Sequence, residues 1–370
     1  TMQHVTIFRD PGRYAGWPAN YGIWSWETEI VLGFVVGFPG QSAGLHSRDK
    51  SRPFVNVQAR SLDGGLTWQI EDFPGHLPGG RGLSADEHVN DEISLAAALA
   101  TDPPAPLPGG IIFAHPELAL MCARTGLQPG ARSLLYVSYD RCRTWAGPYG
   151  LPMFGQPGVQ ARTDYIVLGL SSCLLFLTVA KADGREGRVI CVRTTNGGKS
   201  FHHLADVGGV PAGPDGFSIM PATAQLPGGR LLTALRCRGG DRAAGQDQHW
   251  LDLYASEDLG RSWQFYGRPQ TFQQNGHNGN PGTLDLLPDG RLLLTYGNRD
   301  EPYTIGARLS ADLGQSWGEE ITLRTGGGNR DIGYPRTAVL PDGTAVTAYY
   351  FNDEPGGSGP RYIEATVWRP

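Results

Sequence analysis

An eight-residue pattern, Ser-x-Asp-x-Gly-x-Thr-Trp, recurs along this chain and constrains its fold more than any other feature. Its five copies begin at Ser61, Ser138, Thr194, Ser256 and Ser310. Three copies keep every position apart from an exchange of Thr for Ser, the second has Cys142 where Gly is expected, and the third is looser. Successive copies begin 54 to 77 residues apart. Such repetition is the signature of an architecture built from one supersecondary unit.

The octet has the chemistry of a hairpin turn. Its Asp or Asn side chain is expected to accept hydrogen bonds from backbone N–H groups two residues further on. Its Gly supplies a positive φ that other residues resist, and its Trp or Phe starts the next strand with the ring packed under the turn. Because a catalytic acid would not be needed five times, we interpret the octets as folding elements and not as the functional site.

A second repeat lies within the first and marks a different turn. Leu-Pro-Gly-Gly or Leu-Pro-Asp-Gly sequences begin at Leu107, Leu226, Leu287 and Leu340, and each lies between two apolar runs. Tight turns of this composition connect antiparallel strands. One unit therefore comprises strand, turn, strand, loop, strand, octet and strand, which predicts a four-stranded antiparallel blade.

The number of units predicts an all-β, six-bladed β-propeller formed by residues 1–370 as one domain. The blades are predicted near Asn20–Phe73, Glu92–Tyr149, Thr163–Val207, Phe217–Tyr266, Gly279–Leu323 and Ile332–Trp368. The last unit has no octet, so we expect the N-terminal segment His4–Phe8 to supply its fourth strand and to join the two ends of the ring. Helix is expected to be nearly absent.

Composition argues against several classes of function. The net charge of −5 comes without a basic patch, so nucleic acid is not an expected partner. No apolar run reaches the roughly 18 residues of a membrane span. The five cysteines are scattered without metal-ligand or disulfide spacing, and no metal or organic cofactor is expected. No basic and apolar leader is present, which predicts a cytoplasmic protein, although removal of a signal peptide would leave the same sequence.

Ligands of a propeller bind where the loops around its central channel converge, before the first strand and after the second strand of each blade. In this chain, the polar side chains predicted near that face include His46, Asp49, Glu117, Arg236, His277, Asn280, Arg299, Asp331, Tyr334 and Arg336. Arginines form bidentate pairs with carboxylates, so their convergence predicts an anionic small ligand. Asp, His and Tyr side chains on the same face suit acid–base chemistry on a sugar.

The octets and the Leu-Pro-Asp-Gly turns resemble the Asp-box, or BNR, repeats of the sialidase (neuraminidase) superfamily, over essentially the whole chain. Sialidases hold the substrate carboxylate with three arginines, attack with a Tyr that a Glu activates, and use an Asp as general acid and base. The segment Gly333-Tyr334-Pro335-Arg336 is similar to the sialidase segment that bears the Tyr, which implies that Tyr334 is the nucleophile. The resemblance also implies Arg236 and Arg299 as carboxylate ligands and Asp49, twelve residues before the first octet, as the acid.

Two departures from the sialidase pattern indicate a divergent site. Gly16-Trp17-Pro18 stands where sialidases have Arg-Ile-Pro, and the strand Phe217–Gln225 has no acid at the place of the activating Glu. Arg336 is a candidate replacement for the missing arginine. Glu117 or Asp331, from other blades, is a candidate replacement for the missing Glu.

The sequence thus predicts a glycoside hydrolase that removes a terminal anionic sugar from a glycan, with sialic acid as the leading candidate. His277 and Asn280 would bind hydroxyl groups or take part in proton transfer, and His46 would bind substrate. Two alternatives stay open: a hydrolase or lyase acting on a uronic-acid polysaccharide through His277 and Tyr334, and a carbohydrate-binding propeller without catalysis. A lyase would release unsaturated products that absorb in the ultraviolet. A binding propeller would keep its ligand after loss of Asp49 and Tyr334.

Overall fold

The computed structural model describes residues 2–41, 45–272 and 279–370, and these form six antiparallel sheets arranged as a propeller. The predicted fold class, a six-bladed β-propeller with almost no helix, is confirmed. Within the described segments, no helix has the length and apolar character that crossing a membrane requires.

The strands follow one another around the ring in chain order. Strand β1 (Gln3–Phe8) belongs to the last blade. The first blade contains β2 (Tyr14–Gly16), β3 (Gly22–Trp26), β4 (Glu29–Gly37), β5 (Val55–Ser61) and β6 (Gln69–Asp72), and β2 and β3 share one edge of β4. The second blade contains β7 (Ala119–Arg124), β8 (Ser133–Ser138) and β9 (Ala146–Gly150). The third contains β10 (Tyr165–Val167), β11 (Cys173–Ala180), β12 (Glu186–Thr194) and β13 (His202–Val207).

The remaining three blades have four strands each. The fourth blade contains β14 (Phe217–Gln225), β15 (Leu231–Gly239), β16 (Gln248–Ser256) and β17 (Gln264–Thr271). The fifth contains β18 (Thr283–Leu286), β19 (Leu292–Asn298), β20 (Thr304–Ser310) and β21 (Ile321–Arg324). The sixth contains β22 (Gly333–Val339), β23 (Ala345–Phe351), β24 (Tyr362–Trp368) and β1. The described helices are α1 (Leu95–Ala98) and six 3-10 turns at Pro18–Asn20, Pro78–Gly80, Asp86–His88, Asp91–Ile93, Pro227–Gly229 and Pro355–Gly357.

The octets connect the third and fourth strands of their blades. In the first copy, Asp63 accepts hydrogen bonds from the backbone N–H (2.9 Å) and the hydroxyl group (2.7 Å) of Thr67. Gly65 has a φ of 90°, and the Trp68 indole N–H donates to the Gly65 carbonyl at 2.9 Å. The expectation of a bond to the residue two positions on was wrong: the carboxylate reaches the residue four positions on, because the octet forms a wider loop than an Asx turn.

The second blade departs from the four-stranded unit. The turn predicted at Leu107–Gly110 does not join two strands, because none of the described strands lies between β6 and β7. Side chains from the neighbouring blades form hydrogen bonds with the backbone groups along the unpaired edge of β7 instead. The Trp24 indole donates to the Leu120 carbonyl at 3.2 Å, and the Thr163 hydroxyl accepts from the Cys122 N–H at 2.9 Å. The edge therefore keeps its hydrogen bonds without a partner strand.

The sheets pack face to face around the ring through buried aliphatic and aromatic side chains. All five cysteines are buried and free of disulfide bonds. Burial raises the pKa of the Cys122 thiol to about 12, so this thiol is a poor nucleophile at neutral pH. The ring is closed by β1, which pairs antiparallel with β24 from Gln3 opposite Val367 to Phe8 opposite Ile363.

Candidate functional site

A cavity of about 420 Å³ opens where the inner strands begin and the second strands end. The ionisable side chains on its walls are Arg48, Arg162, Lys181, Arg185, Arg236, Arg238, Arg299, Glu87, Glu186 and Asp215, together with His46, His88 and Tyr334. Seven of these are cationic and three are carboxylates. The excess of positive charge favours an anionic ligand.

Tyr334 is held in an unusual backbone conformation at the start of β22. Its φ is 51°, and its N–H donates to Asn280 Oδ1 at 2.7 Å. The preceding Gly333 has a φ of 108° and touches the Asn280 side chain so closely that a Cβ atom would come within 2.2 Å of it. The pairing of β22 with β23 is also irregular between Gly333 and Arg336. A left-handed backbone conformation at a Tyr costs about 1–3 kcal/mol, and such residues are concentrated at functional sites. This conformation therefore indicates a functional role for the Tyr334 side chain.

The phenol of Tyr334 lies among guanidinium groups. Its oxygen accepts a hydrogen bond from Arg236 Nη1 at 3.0 Å, and the Arg299 guanidinium carbon is 5.4 Å from its ring centroid. Burial raises the pKa of Tyr334, but the charges of Arg236, Arg299 and Arg162 outweigh burial and hold it below its ordinary value. The strand from which the resemblance implied an activating Glu carries Met220, whose Sδ is 3.7 Å from Arg236 Nη1. The arginines therefore favour ionisation of the phenol where a carboxylate base is missing.

Arg236 is a buried cation with few protein partners. It is 5% exposed, and no carboxylate of the described segments lies within ion-pair distance of it. Its Nε is buried and has no hydrogen-bond partner among the described residues. Burial lowers the pKa of its guanidinium group. A buried charge without a counterion is strongly unfavourable, and an anion bound in the cavity would relieve it.

Arg299 is positioned by the network behind Tyr334. It is 3% exposed and donates from Nε to the Ile332 carbonyl at 3.1 Å and from Nη2 to the Tyr350 hydroxyl at 2.8 Å. Burial lowers the pKa of Arg299, but Tyr350, Tyr334 and Asp331 together raise it above its ordinary value. Arg299 therefore stays charged beside the cavity.

Asp331 is the centre of a buried hydrogen-bond network. It is 0% exposed and accepts from Tyr14 Oη (2.6 Å), Tyr350 Oη (2.8 Å), Arg361 Nε (2.9 Å) and His46 Nδ1 (2.7 Å). Burial raises the pKa of Asp331, but these groups outweigh burial and hold it far below its usual range. The carboxylate is therefore ionised, and it fixes the ring of His46 on the cavity wall.

An aromatic stack forms the wall beside His46. The rings of Trp17 and His88 are parallel, with centroids 3.8 Å apart and an interplanar angle of 3°. Burial holds the pKa of His88 well below its ordinary value, so its imidazole is neutral. His88 Nδ1 and Asn20 Oδ1 are buried polar atoms without a hydrogen-bond partner among the described residues. Both residues line the cavity, so these atoms are candidates for contacts with sugar hydroxyl groups.

The structure brings Tyr334, Arg236, Arg299 and His46 together on the cavity wall, with Asp331 directly behind His46. Asn280 is fully buried and supports the backbone of Tyr334, so it does not line the cavity. His277 lies outside the described residues.

Besides Asp331, which lies behind His46, two other predicted acids are not among the cavity-lining residues. The Asp49 carboxylate is turned to its own loop, where Oδ1 accepts from the N–H (3.0 Å) and hydroxyl (2.6 Å) of Ser51. Glu117 forms an ion pair with Arg141 at 3.1 Å. The local chain geometry directs both carboxylates to partners outside the cavity wall.

Arg336 lies in a second cavity of about 310 Å³ within the central channel. Its Nη2 donates to the carbonyl groups of Ala19 (2.8 Å) and Thr163 (2.7 Å). Asp164 and Asp285 line the same cavity. Burial raises their pKa values to about 6 and about 7, respectively, against the opposing charge of Arg336. Arg336 therefore belongs to a channel cluster and is not brought to the wall that holds Arg236 and Arg299.

The channel cluster makes stability depend on pH. The pKa of Asp285 is about 7 in the folded state against an ordinary value of 3.8. The contribution of its protonated side chain to the free energy of unfolding is therefore complete below pH 3.8 and is lost as the pH rises to about 7. We expect Asp285→Asn to raise the free energy of unfolding by about 1–3 kcal/mol at pH 8, and by progressively less towards pH 4. Urea titrations across this range measure the gain. Asp72→Asn, on the exposed end of β6, is the control, and an equal pH dependence in both variants would contradict the assignment.

Sequence reasoning missed the ion pair between Arg162 and Glu186, whose atoms Nη1 and Oε2 are 2.6 Å apart on the cavity wall. Arg162 precedes the first strand of its blade, so its position was a usable signal. Glu186 begins the third strand of its blade, whereas site residues are predicted only before first strands and after second strands. Glu87 and His88 lie at the entry to the second blade, a position where the sequence predicts site residues, and both line the cavity.

Comparisons with known proteins identify the architecture. No protein-family model matches the chain, and no curated protein sequence matches it. A protein of unknown function from Dyadobacter fermentans DSM 18053 is 20% identical, with a TM-score of 0.68 over 99% of this chain and 98% of that one. The Hadza microbial sialidase Hz136 is 15% identical, with a TM-score of 0.61 over 97% and 66%. The Penicillium chrysogenum α-L-arabinanase is 13% identical, with a TM-score of 0.60 over 100% and 98%. At these identities the likeness establishes a shared propeller fold.

Within the described segments, no group of three or more His, Cys, Asp or Glu side chains is arranged to hold a metal ion. The cavity offers a phenol of lowered pKa, two buried guanidinium groups and an imidazole paired with an ionised carboxylate.

Proposed function

We propose that this protein is a glycoside hydrolase that cleaves a terminal anionic sugar. The observation that carries the proposal is the contact between Arg236 and Tyr334. A buried guanidinium that has no carboxylate partner among the described residues donates to a phenol at 3.0 Å inside a cationic cavity. The guanidinium supplies a binding site for an anion, and the phenol supplies a nucleophile beside it.

The proposed roles follow from charge and position. Arg236 and Arg299 hold the carboxylate of the sugar, and the Tyr334 oxygen attacks the anomeric carbon. A phenol of ordinary pKa near 10 is a weak nucleophile at neutral pH. The arginines around Tyr334 lower its pKa and so increase the phenolate fraction without a Glu base.

The size of the cavity suits one sugar residue. Its volume of about 420 Å³ is in the size range of small-molecule sites. Phe217 and Ile219, which line the cavity, belong to an apolar cluster against which Tyr334 packs. Sialic acid is the leading candidate because its carboxylate is attached to the carbon that Tyr334 would attack.

A lyase for uronic-acid glycans is the second candidate function. The presence of an imidazole and a phenol in one anion-binding cavity favours it, because β-elimination needs a base and neutralisation of the neighbouring carboxylate. The lyase releases an unsaturated sugar that absorbs in the ultraviolet, whereas the hydrolase releases a saturated one.

Turnover of 4-methylumbelliferyl glycosides tests the proposal. We expect release of 4-methylumbelliferone from the α-sialoside or from a uronide, with a kcat/KM about 100-fold above that for the methyl ester of the same sugar. The ester lacks the charge-assisted pair with the buried arginines, which is worth about 1.5–3 kcal/mol. Equal rates for acid and ester would contradict the role of the arginines. Calorimetric binding of the free sugar without turnover would instead indicate a carbohydrate-binding propeller.

A further inference from the structure

We propose that His46, oriented by Asp331, is the general acid and base of this site, in the role that the sequence resemblance implied for Asp49. This inference rests on the proposed glycosidase function. His46 lines the cavity with 19% of its side chain exposed, and its Nδ1 lies 2.7 Å from Asp331 Oδ1. The Asp49 carboxylate is instead bound to Ser51 and is not part of the cavity wall.

The ionised state of Asp331 decides which nitrogen of His46 carries the fixed proton. An ionised carboxylate only accepts hydrogen bonds, so the short contact to Asp331 requires a proton on Nδ1 of His46. The nitrogen through which His46 can exchange a proton with a molecule in the cavity is therefore Nε2. The carboxylate thus orients the imidazole, as an Asp does in a Ser-His-Asp triad.

The surroundings hold the His46 ring in one orientation. The ring meets Trp17 edge-on, with centroids 5.1 Å apart and planes at 88°. Among the described residues, the titratable and charged groups beside it include Tyr14, Arg48, His88, Asp331 and Arg361. His88 is neutral because burial lowers its pKa, and Arg361 is paired with Asp331 at 2.9 Å. Asp331 is the carboxylate that contacts the imidazole directly in the described part of the chain.

His46 and Tyr334 belong to one connected unit. Tyr350 lies between them: its hydroxyl donates to Asp331 at 2.8 Å, and its ring centroid is 6.1 Å from that of Tyr334. The same hydroxyl accepts from Arg299 at 2.8 Å. The nucleophile, the anion ligand and the proton donor are therefore positioned by shared contacts.

The reaction balances with these groups alone. In the first step, the Tyr334 phenolate forms a bond to the anomeric carbon, the bond to the leaving oxygen breaks, and Nε2 of the His46 imidazolium gives that oxygen its proton. In the second step, neutral His46 takes a proton from water, and the resulting hydroxide oxygen bonds to the anomeric carbon. The bond between that carbon and the Tyr334 oxygen breaks as the new bond forms, which restores the phenolate.

Two leaving groups separate an acid from a merely structural residue. The 4-methylumbelliferone group of the aryl α-sialoside can leave without protonation. The methoxy group of a methyl α-sialoside must receive a proton as it leaves. We expect His46→Gln to lower kcat/KM about 100-fold or more on the methyl glycoside, and less than about fivefold on the aryl glycoside, for which protonation contributes little. Imidazole added to His46→Gly should restore part of the lost rate. His76→Gln is the matched control, because His76 forms an exposed pair with Asp102 at 2.9 Å outside the cavity.

Asp331 is tested as a positioning residue with the same two leaving groups. Asp331→Asn should lower kcat/KM more on the methyl glycoside than on the aryl glycoside, because His46 loses the carboxylate that fixes its ring and the proton on Nδ1. If this variant does not fold, the His46 variants decide the question. Equal losses on both leaving groups, or unchanged rates, would overturn the role of His46 while leaving the hydrolase intact. A wild-type protein that cleaves neither these sialosides nor the corresponding uronides would overturn the proposed function and this inference together.

Discussion

Tyr334→Phe is expected to lower kcat on the aryl glycoside by at least about 10³-fold, because a missing nucleophile removes the covalent step. Binding of the free sugar should change by less than about tenfold, since only one hydrogen-bonding group is lost. Arg236 and Arg299 remain in place in this variant, so the anion site is intact. The measurement is steady-state hydrolysis combined with calorimetric titration of the released sugar.

Tyr139→Phe is the control for this change. Tyr139 is 38% exposed and bonds only to the backbone of Ile112 among the described hydrogen bonds, so its substitution should leave kcat unchanged. A Tyr334→Phe variant that retains wild-type turnover would rule out the phenol as nucleophile. Loss of binding in parallel with loss of turnover would assign Tyr334 to substrate recognition instead.

Arg236→Met is expected to stabilise the protein and to inactivate it. Arg236 is 5% exposed and its Nε has no partner among the described residues, so replacement by an apolar side chain should raise the free energy of unfolding by about 1–3 kcal/mol. The same change removes the cation beside Tyr334 and the anion ligand together. We expect kcat/KM for the acidic glycoside to fall about 10³-fold, the effect of losing a buried charge-assisted contact.

Arg60→Met is the comparison variant, for which we expect the opposite change in the free energy of unfolding. Arg60 is 8% exposed and pairs with Glu29 at 2.8 Å and Glu71 at 2.7 Å. Its loss removes the ion-pair partner of Glu71 and one of the three arginines around Glu29, and the free energy of unfolding should fall by about 2–4 kcal/mol. Denaturant titrations of the two variants give the comparison. A fall in stability for Arg236→Met would show that the guanidinium is satisfied within the protein and would weaken the case for an anion site.

A buried arginine that lowers stability is consistent with selection for binding. Functional sites commonly retain unfavourable groups that a ligand then satisfies. The left-handed Tyr334 lines this cavity together with Arg236 and His88, whose buried Nε and Nδ1 atoms have no hydrogen-bond partner among the described residues. Their concentration in one place is a physical reason to expect a ligand there.

The sequence by itself determined the architecture of this protein. The octets and the Leu-Pro-Gly/Asp-Gly turns act through hydrogen bonds within a few residues, as between Asp63 and Thr67, so local chemistry specifies where most hairpins form. Repetition of that local signal then set the number of blades. It also placed Arg236, Arg299 and Tyr334 at strand ends around one opening, because equivalent strands of a propeller end on the same face.

Only the tertiary structure decided which of these side chains meet. The direction of Tyr334 depends on Asn280 from the preceding blade, and the ion pair of Glu186 with Arg162 joins two elements of a blade that no turn motif relates. Arg336 lies two residues after Tyr334, which is one period of side-chain alternation along a strand. Its carbonyl partners nevertheless hold it in the channel. Such outcomes depend on contacts between segments far apart in the chain. A local pattern fixes which face of a blade a residue is near, whereas bulges, positive φ angles and partners from other blades fix where its side chain goes.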